Sequence, residues 1–570
     1  MKQGNHHQKQ KLTHEEIEKK KKKIIRIFLV IVVLVVLAIV AMIANDFIIL
    51  GKNKTTNLVI NNKNVTANLK KEVLIQDDEV YLSKSDLANF FDQYIYEDTQ
   101  NNQIITTYDT KIATMKLDED QITINGATKK TYAHAIKQDG TIYLPVSELK
   151  DVYGIEFTYL ADSKVVTIDS TNREQKKAIV NQDLAVKSTT NIIAKTVDRV
   201  QKGSFVIVVS EEKGYTKVRT ENGKLGYVKT KQLGTPVQTR QAIEEKKAIE
   251  GKVNLVWDYY SQVASAPDRS GTTIEGINVV SPAFFHLTKE GRIEENIGQK
   301  GQAYINWAHE NGYQVWPMVQ NAGEGMLTVT SNIMNSYEKR QQLIESIVNS
   351  CVTYKLDGIN IDFENMKKED KDLYSRFIIE LTPRIKEMGL VVSVDVTAPD
   401  GADTWSLCFD RHVIGDVADY IVFMAYDEYG TSSNKAGTTA GYDWVELSLK
   451  KFLQTEEIES NKIILGIPLY TRLWTEDSSG KLLTQKTVAM KDIESTIPEG
   501  VERKWDDKLK QNYVEYTEGN NTKKMWIEDI KSLTAKLDLV KTYKLGGTAA
   551  WEKGMETDEV WSLLAEKLSD

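Results

Sequence analysis

The sequence predicts a multidomain α/β protein whose C-terminal half is a (β/α)8 barrel with an α+β insertion. Three observations predict this fold class. The chain has 570 residues, which at about 100–200 residues per domain requires several domains. Its N-terminal half contains one long apolar run, two internally similar segments and a group of short strands. From residue 251 onward, apolar strands alternate with amphipathic helices, which indicates a parallel sheet buried on both faces.

Composition and charge exclude several classes of protein. Hydrophobic residues make up 41% and charged residues 27%, as in ordinary globular domains. The net charge is -8, whereas a nucleic-acid-binding protein usually carries an excess of basic residues. The 2 cysteines, Cys351 and Cys408, exclude a disulfide scaffold, and the 7 histidines show no metal-ligand spacing. We therefore expect no metal, no cofactor and no nucleic-acid partner.

The N-terminus predicts a membrane anchor. Residues 1–23 form a polar, basic tail, and residues 24–50 are almost wholly aliphatic. Such a run is long enough to cross a membrane as a transmembrane helix, and the lysines before it predict a cytoplasmic N-terminus with the rest of the chain outside the cell. The alternative is a cleaved signal peptide, which would release a soluble secreted protein; the long apolar run argues against it. We therefore expect a single-pass protein of the cell membrane, and the shortage of cysteines outside the cell favours a Gram-positive bacterium.

Residues 57–169 contain an internal repeat. Tyr81–Leu87 recurs as Tyr143–Leu149, and Ile104–Thr106 recurs as Val165–Thr167. The pattern of each half predicts short alternating strands, a helix that starts at a serine, and a further strand. The two halves together predict a duplicated α+β module. The segment resembles the copper amine oxidase N-terminal-like domain. Its only histidine is His134, so the resemblance implies no metal, and a spacer or wall-facing scaffold is the simplest role.

Residues 180–235 predict a small β-barrel. Short strands are expected at Phe205–Val209, Tyr215–Thr220 and Gly226–Val228, with the hairpin signal Glu-Asn-Gly-Lys between the last two. The segment resembles a bacterial SH3-type domain. The resemblance implies binding of cell-wall glycan or peptide, and a spacer role stays open.

Residues 251–570 supply the barrel. The predicted strands are Gly276–Leu287, Gln314–Gln320, Gly358–Phe363, Leu390–Thr397, Tyr420–Tyr426, Lys462–Pro468 and Gly546–Trp551. Helices such as Tyr337–Tyr354 and Lys371–Met388 fit between them, and about eight such units fit a (β/α)8 barrel. The segment Thr471–Lys544 is too long for one crossover, so we expect a small α+β subdomain inserted before the last strand.

The octet Asp357–Glu364, with the sequence Asp-Gly-Ile-Asn-Ile-Asp-Phe-Glu, is the strongest functional signal. Side chains alternate between the two faces of a strand, so Asn360, Asp362 and Glu364 share the face that points into the barrel. Buried carboxylates are costly unless they are hydrogen-bonded or functional, and Glu364 lies at the carboxyl end, where barrel enzymes keep their chemistry. The octet therefore predicts an active site, with a purely structural polar ladder as the alternative.

This octet resembles the signature of glycoside hydrolase family 18, the chitinase-like family. Further stretches resemble the same family: Met424–Asp427, Leu465–Tyr470 and Trp551. Two more, Ser281–Phe285 and Val394–Pro399, look most like its spore-cortex-lytic and cell-wall-hydrolase branch. The resemblance implies substrate assistance, in which the sugar's own 2-acetamido oxygen attacks the anomeric carbon.

The resemblance also implies roles for single residues. Burial and repulsion are expected to keep Glu364 protonated as the general acid. Asp362 would orient the acetamide N–H, and Tyr426 would donate a hydrogen bond to the acetamide oxygen. The supporting residues would be Asp357, Asn360 and Asp427, and the substrate-binding residues Met424 and Trp551.

Asn360 departs from the family pattern, which has an aspartate there. An amide removes one negative charge, although it could still hydrogen-bond Asp362. The sequence as a whole predicts a membrane-anchored extracellular glycosidase that hydrolyses β-1,4 bonds next to N-acetylglucosamine in peptidoglycan by a retaining, substrate-assisted reaction. The alternatives are a chitinase or chito-oligosaccharidase, and a non-catalytic protein that binds cell-wall glycan.

Overall fold

The computed structural model describes residues 14–47, 55–191, 193–243 and 249–568. The chain divides into two compact units. The N-terminal unit comprises Met1–Ile104, Met115–Ile122 and Thr128–Glu244, and the C-terminal unit comprises Ile105–Thr114, Thr123–Ala127 and Glu245–Asp570. The domain limits drawn from the sequence stay predictions.

The apolar run near the N-terminus is part of a helix, His14–Phe47, that already begins in the basic segment. Within the part of the chain that the structure describes, no helix has the length and apolar character needed to cross a membrane. The prediction of a transmembrane helix at residues 24–50 is therefore wrong. The apolar stretch continues a charged helix instead of forming one of its own, and residues 1–13 and 48–50 lie outside the described residues.

Between residues 57 and 170 a succession of elements occurs twice. The first succession is Asn57–Ile60, Lys63–Asn64, Leu74–Gln76, Glu79–Ser83, the helix Lys84–Phe90, Tyr96–Asp98 and Gln103–Tyr108. The second is Gln121–Ile124, Ala127–Lys130, Ile136–Gln138, Thr141–Pro145, the helix Lys150–Tyr153, Ile155–Leu160 and Val165–Ser170. Ser83 caps the first helix by accepting a hydrogen bond from the main-chain N–H of Asp86. The fourth strands of the two successions pair antiparallel, with Leu82 opposite Leu144.

Residues 175–240 form a seven-stranded sheet in which every pairing between neighbouring strands is antiparallel. Its strands are Gln175–Ile179, Leu184–Lys187, Thr196–Val200, Phe205–Glu212, Tyr215–Arg219, Leu225–Lys229 and Val237–Arg240. Gly223, at φ +74°, makes the predicted tight turn between the fifth and sixth of these strands. The SH3-type identity of this sheet and its ligand stay predictions.

The C-terminal unit contains the predicted barrel. We number its strands β1 Val253–Asp258, β2 Val279–Pro282, β3 Gln314–Gln320 (in the two pieces Gln314–Val315 and Met318–Gln320), β4 Gly358–Asp362, β5 Val391–Val396, β6 Tyr420–Phe423, β7 Ile463–Pro468 and β8 Gly547–Trp551. Neighbouring strands pair parallel, and β1 pairs with both β2 and β8, so the sheet closes on itself. The (β/α)8 barrel is confirmed.

Two details of the barrel differ from the prediction. β1 is missing from the predicted strands; Asn254 interrupts its apolar run, and the link 259–278 to β2 contains no helix. The long strand predicted at Gly276–Leu287 is two strands, β2 and Phe285–Leu287, and the second pairs with the end of β3. The helices that cover the barrel are Gly298–Glu310, Met326–Met334, Tyr337–Tyr354, Lys371–Lys386, Arg411–Val417, Tyr442–Gln454, Ile530–Thr542 and Glu559–Leu568.

The insertion between β7 and β8 is a five-stranded antiparallel sheet with the short helix Ile493–Thr496. Its strands are Tyr470–Glu476, Leu482–Ala489, Lys504–Asp506, Gln511–Glu518 and Asn521–Ile527. The predicted segment Thr471–Lys544 also took in Ile530–Thr542, which is instead a helix of the barrel, packed against β7 and β8.

Two apolar cores give the barrel its layers. The outer core, between strands and helices, contains Ile359, Ile361 and Phe363 of the octet. The inner core fills the barrel with side chains of alternate strand positions, among them Trp257 and Val422. Burying each such side chain contributes about 1.5–3 kcal/mol relative to exposure. The alternation along β4 therefore leaves Asn360, Asp362 and Glu364 on the inner face.

Candidate active site

β4 brings an amide and two carboxyl groups to the barrel interior. Asn360 is completely buried and Asp362 is 8% exposed. Glu364 lies two residues beyond the end of β4, and its main-chain N–H donates to Asn321 Oδ1 at 2.9 Å. This bond to the residue after β3 fixes the backbone where the strand ends. At about 3.3 Å per residue, the Cα atoms of Asp362 and Glu364 are roughly 6.5 Å apart.

Asp362 is held on one side only. Its Oδ2 accepts a hydrogen bond from Gln320 Nε2 at 2.9 Å, whereas its buried Oδ1 has no partner among the described residues. Burial raises the pKa of Asp362 to about 6, although the hydrogen bond from Gln320 acts in the opposite direction. Asp362 therefore changes charge close to neutral pH.

The surroundings of Glu364 favour the protonated form of its carboxyl group. Burial raises its pKa well above the ordinary value, and the negative charges of Asp362 and Asp427 raise it further. Within the described chain its carboxyl group accepts no hydrogen bond that would favour the ionised form. When Asp362 is ionised, Glu364 therefore keeps its proton.

The end of β6 supplies Met424, Tyr426 and Asp427. Met424 is buried, and the Tyr426 ring makes edge contacts with Trp257 and Tyr470, each at 6.3 Å between ring centroids. Burial raises the pKa of Tyr426 well above its ordinary value, so its hydroxyl stays a donor.

The inserted sheet fixes Asp427. Asp427 has a left-handed backbone, with φ +57°. Its Oδ1 accepts hydrogen bonds from Tyr470 Oη at 2.5 Å and from Arg472 Nη2 at 2.6 Å. Tyr470 and Arg472 both belong to the first strand of the insertion, and the Arg472 side chain is only 4% exposed. The insertion thus positions one wall of the site.

Trp551, the last residue of β8, supplies an aromatic surface. Its ring lies 5.7 Å from the Trp257 ring and 5.7 Å from the Tyr259 ring, centroid to centroid. Trp551 is half-buried, and Tyr259 is 43% exposed. The peptide bond from Trp551 to Glu552 is cis. A partly open aromatic face of this kind suits the apolar face of a sugar ring.

Asn360 does not bond Asp362, contrary to the expectation from the sequence. Its Nδ2 donates to Ser393 Oγ at 3.0 Å and to Asp395 Oδ1 at 2.6 Å, both on β5. Its Oδ1 accepts from Trp257 Nε1 at 2.9 Å and from Ser281 Oγ at 3.4 Å. Asn360 therefore links β4 to β5 on one side and to β1 and β2 on the other.

Asp357 is not brought to the site. It precedes β4 at the opposite end of the barrel, about 23 Å from Glu364 at about 3.3 Å per residue. Its Oδ2 accepts from the main-chain N–H of Val315 at 2.9 Å and lies 2.9 Å from His309 Nε2. These contacts connect β4 to β3 and to the helix Gly298–Glu310, which is a structural role.

Several site residues were missed by the sequence analysis. They are Gln320, Asp395, Trp257, Tyr470 and Arg472. Gln320 ends a predicted strand, and Asp395 interrupts an apolar one, so the same alternation that identified β4 could have identified both. No local pattern could have identified Arg472, because its partner Asp427 lies 45 residues away.

A cavity of about 830 Å³ lies beside the ends of β2 and β3. It is lined by charged side chains of both signs, Lys289, Glu290, Arg292, Glu294 and Glu324. Its lining contains none of the site residues described above.

Comparisons with known proteins found two matching family models and several similar proteins. The family model for glycosyl hydrolases family 18 matches residues 255–556, and the model for the copper amine oxidase N-terminal domain matches residues 59–189. The uncharacterized glycosylase YvbX of Bacillus subtilis is 25% identical over 296 residues, which are 50% of this chain and 84% of that protein. A cortical fragment-lytic enzyme of Bacillus subtilis is 24% identical over 242 residues, 42% of this chain and 56% of that enzyme. Among solved structures, a chitinase from Chromobacterium violaceum is 24% identical with a TM-score of 0.49, over 56% of this chain and 99% of that one.

Proposed function

Because the chain belongs to glycoside hydrolase family 18, we propose that its barrel hydrolyses the β-1,4 bond next to N-acetylglucosamine in peptidoglycan, with retention of configuration and assistance from the substrate's acetamido group. One observation carries this proposal. Glu364, an acid with a raised pKa, lies two positions from Asp362 on one inner face, and the pKa of Asp362 is about 6. Near neutral pH the first group can donate a proton while the second carries a negative charge.

The reaction follows from these protonation states. Glu364 donates its proton to the glycosidic oxygen as that bond to the anomeric carbon breaks, and the acetamide oxygen forms a new bond to the same carbon. Asp362 accepts a hydrogen bond from the acetamide N–H and stabilises the positive charge that develops on the oxazolinium ring. Water then attacks the anomeric carbon, the ring opens, and the Glu364 carboxylate takes the water proton. Two inversions at one carbon give net retention.

The surroundings support substrate assistance over a protein nucleophile. Asp427 is engaged by Tyr470 and Arg472, so it is unsuited to attack a sugar carbon. Asp395 is 1% exposed and lies on β5 below the end of the barrel. In this reaction Tyr426 donates a hydrogen bond to the acetamide oxygen, and Met424 and Trp551 contact the sugar.

Two features favour peptidoglycan over chitin. The cavity beside β2 and β3 carries charges of both signs, which suits the amines and carboxylates of a peptide-bearing glycan better than uncharged chitin. The similarity to a cortical fragment-lytic enzyme points the same way. We propose in addition that the barrel acts outside the cell, where this polymer lies, and that the sheet of residues 175–240 is an SH3-type module that holds the glycan.

The test compares the purified protein with two single variants on peptidoglycan and on chitin. Glu364→Gln removes the acid and should reduce the release of soluble fragments by at least about 100-fold, with glycan binding retained. Glu369→Gln, at an exposed position, is the matched control and should behave as the wild type. Mass spectrometry of the fragments identifies the bond through the sugar at the new reducing end.

Three results would change the proposal. Cleavage of chitin but not of peptidoglycan would mean that the protein acts as a chitinase. Binding of glycan without release of fragments would mean a non-catalytic wall-binding protein. Full activity in Glu364→Gln would remove the assigned acid.

A further inference from the structure

Asp395 is a buried carboxyl group that the reaction above leaves without a role. It lies on β5, is 1% exposed and shares the inner face with Ser393. β4 and β5 pair parallel with Ile361 opposite Val394. The next position along both strands therefore places Asp395 beside Asp362, on strands about 4.8 Å apart.

The orientation of Asn360 fixes how Asp395 can act. The Asn360 Nδ2 points to β5 and donates to Asp395 Oδ1 at 2.6 Å. Its Oδ1 points the other way and accepts from Trp257 Nε1, which can only donate. The amide therefore cannot turn toward Asp362, and one oxygen of Asp395 is permanently occupied. Asp362 lies beside Asp395 on the neighbouring strand, and its Oδ1 is buried without a partner among the described residues.

The titratable groups around Asp395 are acids. Asp362 and Glu364 face it from β4, Tyr426 from the end of β6, and Tyr374 from the helix Lys371–Lys386. No cationic side chain is among the groups that act on Asp395 in the described chain. Buried carboxylates without a cation cannot all be ionised together. Burial first, and then the charge of Asp362, raise the pKa of Asp395 well above the ordinary value, so Asp362 is the one that ionises.

We propose that Asp395 is a positioning residue for Asp362: its carboxyl group stays protonated, accepts from Asn360 and donates to Asp362 Oδ1, and so supplies from β5 the carboxyl that the octet lacks at position 360. This inference rests on the proposed function. It explains how the octet keeps a proton-sharing partner for Asp362 although position 360 is an amide. No covalent bond changes at Asp395 in the reaction, because its proton stays on Asp395 and is only hydrogen-bonded to Asp362.

The first variants test the donor. Asp395→Ala removes it, and the loss of a hydrogen bond to the charged form raises the pKa of Asp362. We expect kcat to fall at least about 10-fold with KM within about 3-fold, and the acid limb of the pH profile to move to higher pH. In Asp395→Asn the amide can accept from Asn360 and donate to Asp362, so we expect kcat within about 5-fold of the wild type and an unchanged acid limb.

The second pair tests the number of carboxyl groups. Asn360→Asp alone adds a further buried acid, which should move the acid limb to higher pH. Asn360→Asp combined with Asp395→Asn restores the original number, and the acid limb should return to that of the wild type. A merely structural role for Asp395 gives no reason for this rescue.

Two outcomes would overturn the inference: an Asp395→Ala variant with wild-type kcat and acid limb, or a double variant that keeps the shifted limb of Asn360→Asp. Thermal unfolding and glycan binding check that each variant is folded, and if Asp395→Ala does not fold, the double variant still decides. Carboxyl ¹³C NMR titration of the same proteins needs no turnover. If the wild type cleaves no polymer, the proposed function fails, and the titration still tests whether Asp362 and Asp395 share one proton.

Discussion

Replacing Gln320 by leucine should move the lower pH limit of activity upward. Gln320 Nε2 donates to Asp362 Oδ2 at 2.9 Å, and both side chains are buried. This bond favours the ionised form of Asp362, so its loss raises the pKa. A hydrogen bond to a charged group contributes about 1.5–3 kcal/mol, and at 1.36 kcal/mol per pKa unit its loss corresponds to about 1–2 units. Because catalysis requires ionised Asp362, the acid limb should move from near pH 6 in the wild type to about pH 7–8 in the variant.

The assay is kcat/KM on a soluble N-acetylglucosamine oligomer between about pH 4 and about pH 9, since this parameter reports the free enzyme's groups. Gln302→Leu, on the exposed face of the helix Gly298–Glu310, is the control and should keep the wild-type profile. Thermal unfolding at neutral pH verifies that Gln320→Leu is folded. An acid limb that stays within about 0.3 units of the wild type would refute the reasoning, because Gln320 would then have no electrostatic effect on Asp362.

The remaining predictions concern the walls of the site. Arg472→Met removes the cation that neutralises Asp427. Because the charge of Asp427 raises the pKa of Glu364, the alkaline limb should move to higher pH, with kcat reduced about 10-fold. An unchanged pH profile in the same assay would contradict this. Trp551→Ala removes the sugar-facing ring and should raise KM about 10-fold, equivalent to about 1.4 kcal/mol, with kcat less affected; an unchanged KM in steady-state kinetics would show that the ring does not contact substrate.

The sequence was sufficient to predict the structure where that structure follows from the alternation of side chains along a strand. The period of two along the octet placed Ile359, Ile361 and Phe363 in the outer core and Asp362 inside the barrel. Asp357 was not placed by this rule; its supporting role came from the resemblance of the octet, which is longer than the part of β4 near the site. It begins at the opposite end of the barrel, where Asp357 holds the main chain of β3.

What the sequence could not show is pairing between distant segments. Gln320, Asp362 and Asp395 lie on three neighbouring strands and meet only because the barrel sets their register. Arg472 reaches Asp427 from an inserted sheet whose orientation no local pattern encodes. The transmembrane prediction failed for a different reason: composition alone does not show where a helix begins, and this one begins at His14, within the charged segment.

The most direct test of substrate assistance compares glycans with and without N-acetyl groups. Proton NMR of the first products from a defined oligomer reports both the rate of cleavage and the anomeric configuration. We expect the N-acetylated oligomer to be cleaved with the β-configuration retained and the de-N-acetylated oligomer to stay intact. Equal cleavage of both oligomers, or an α-product, would contradict the assignment of the acetamido oxygen as the nucleophile.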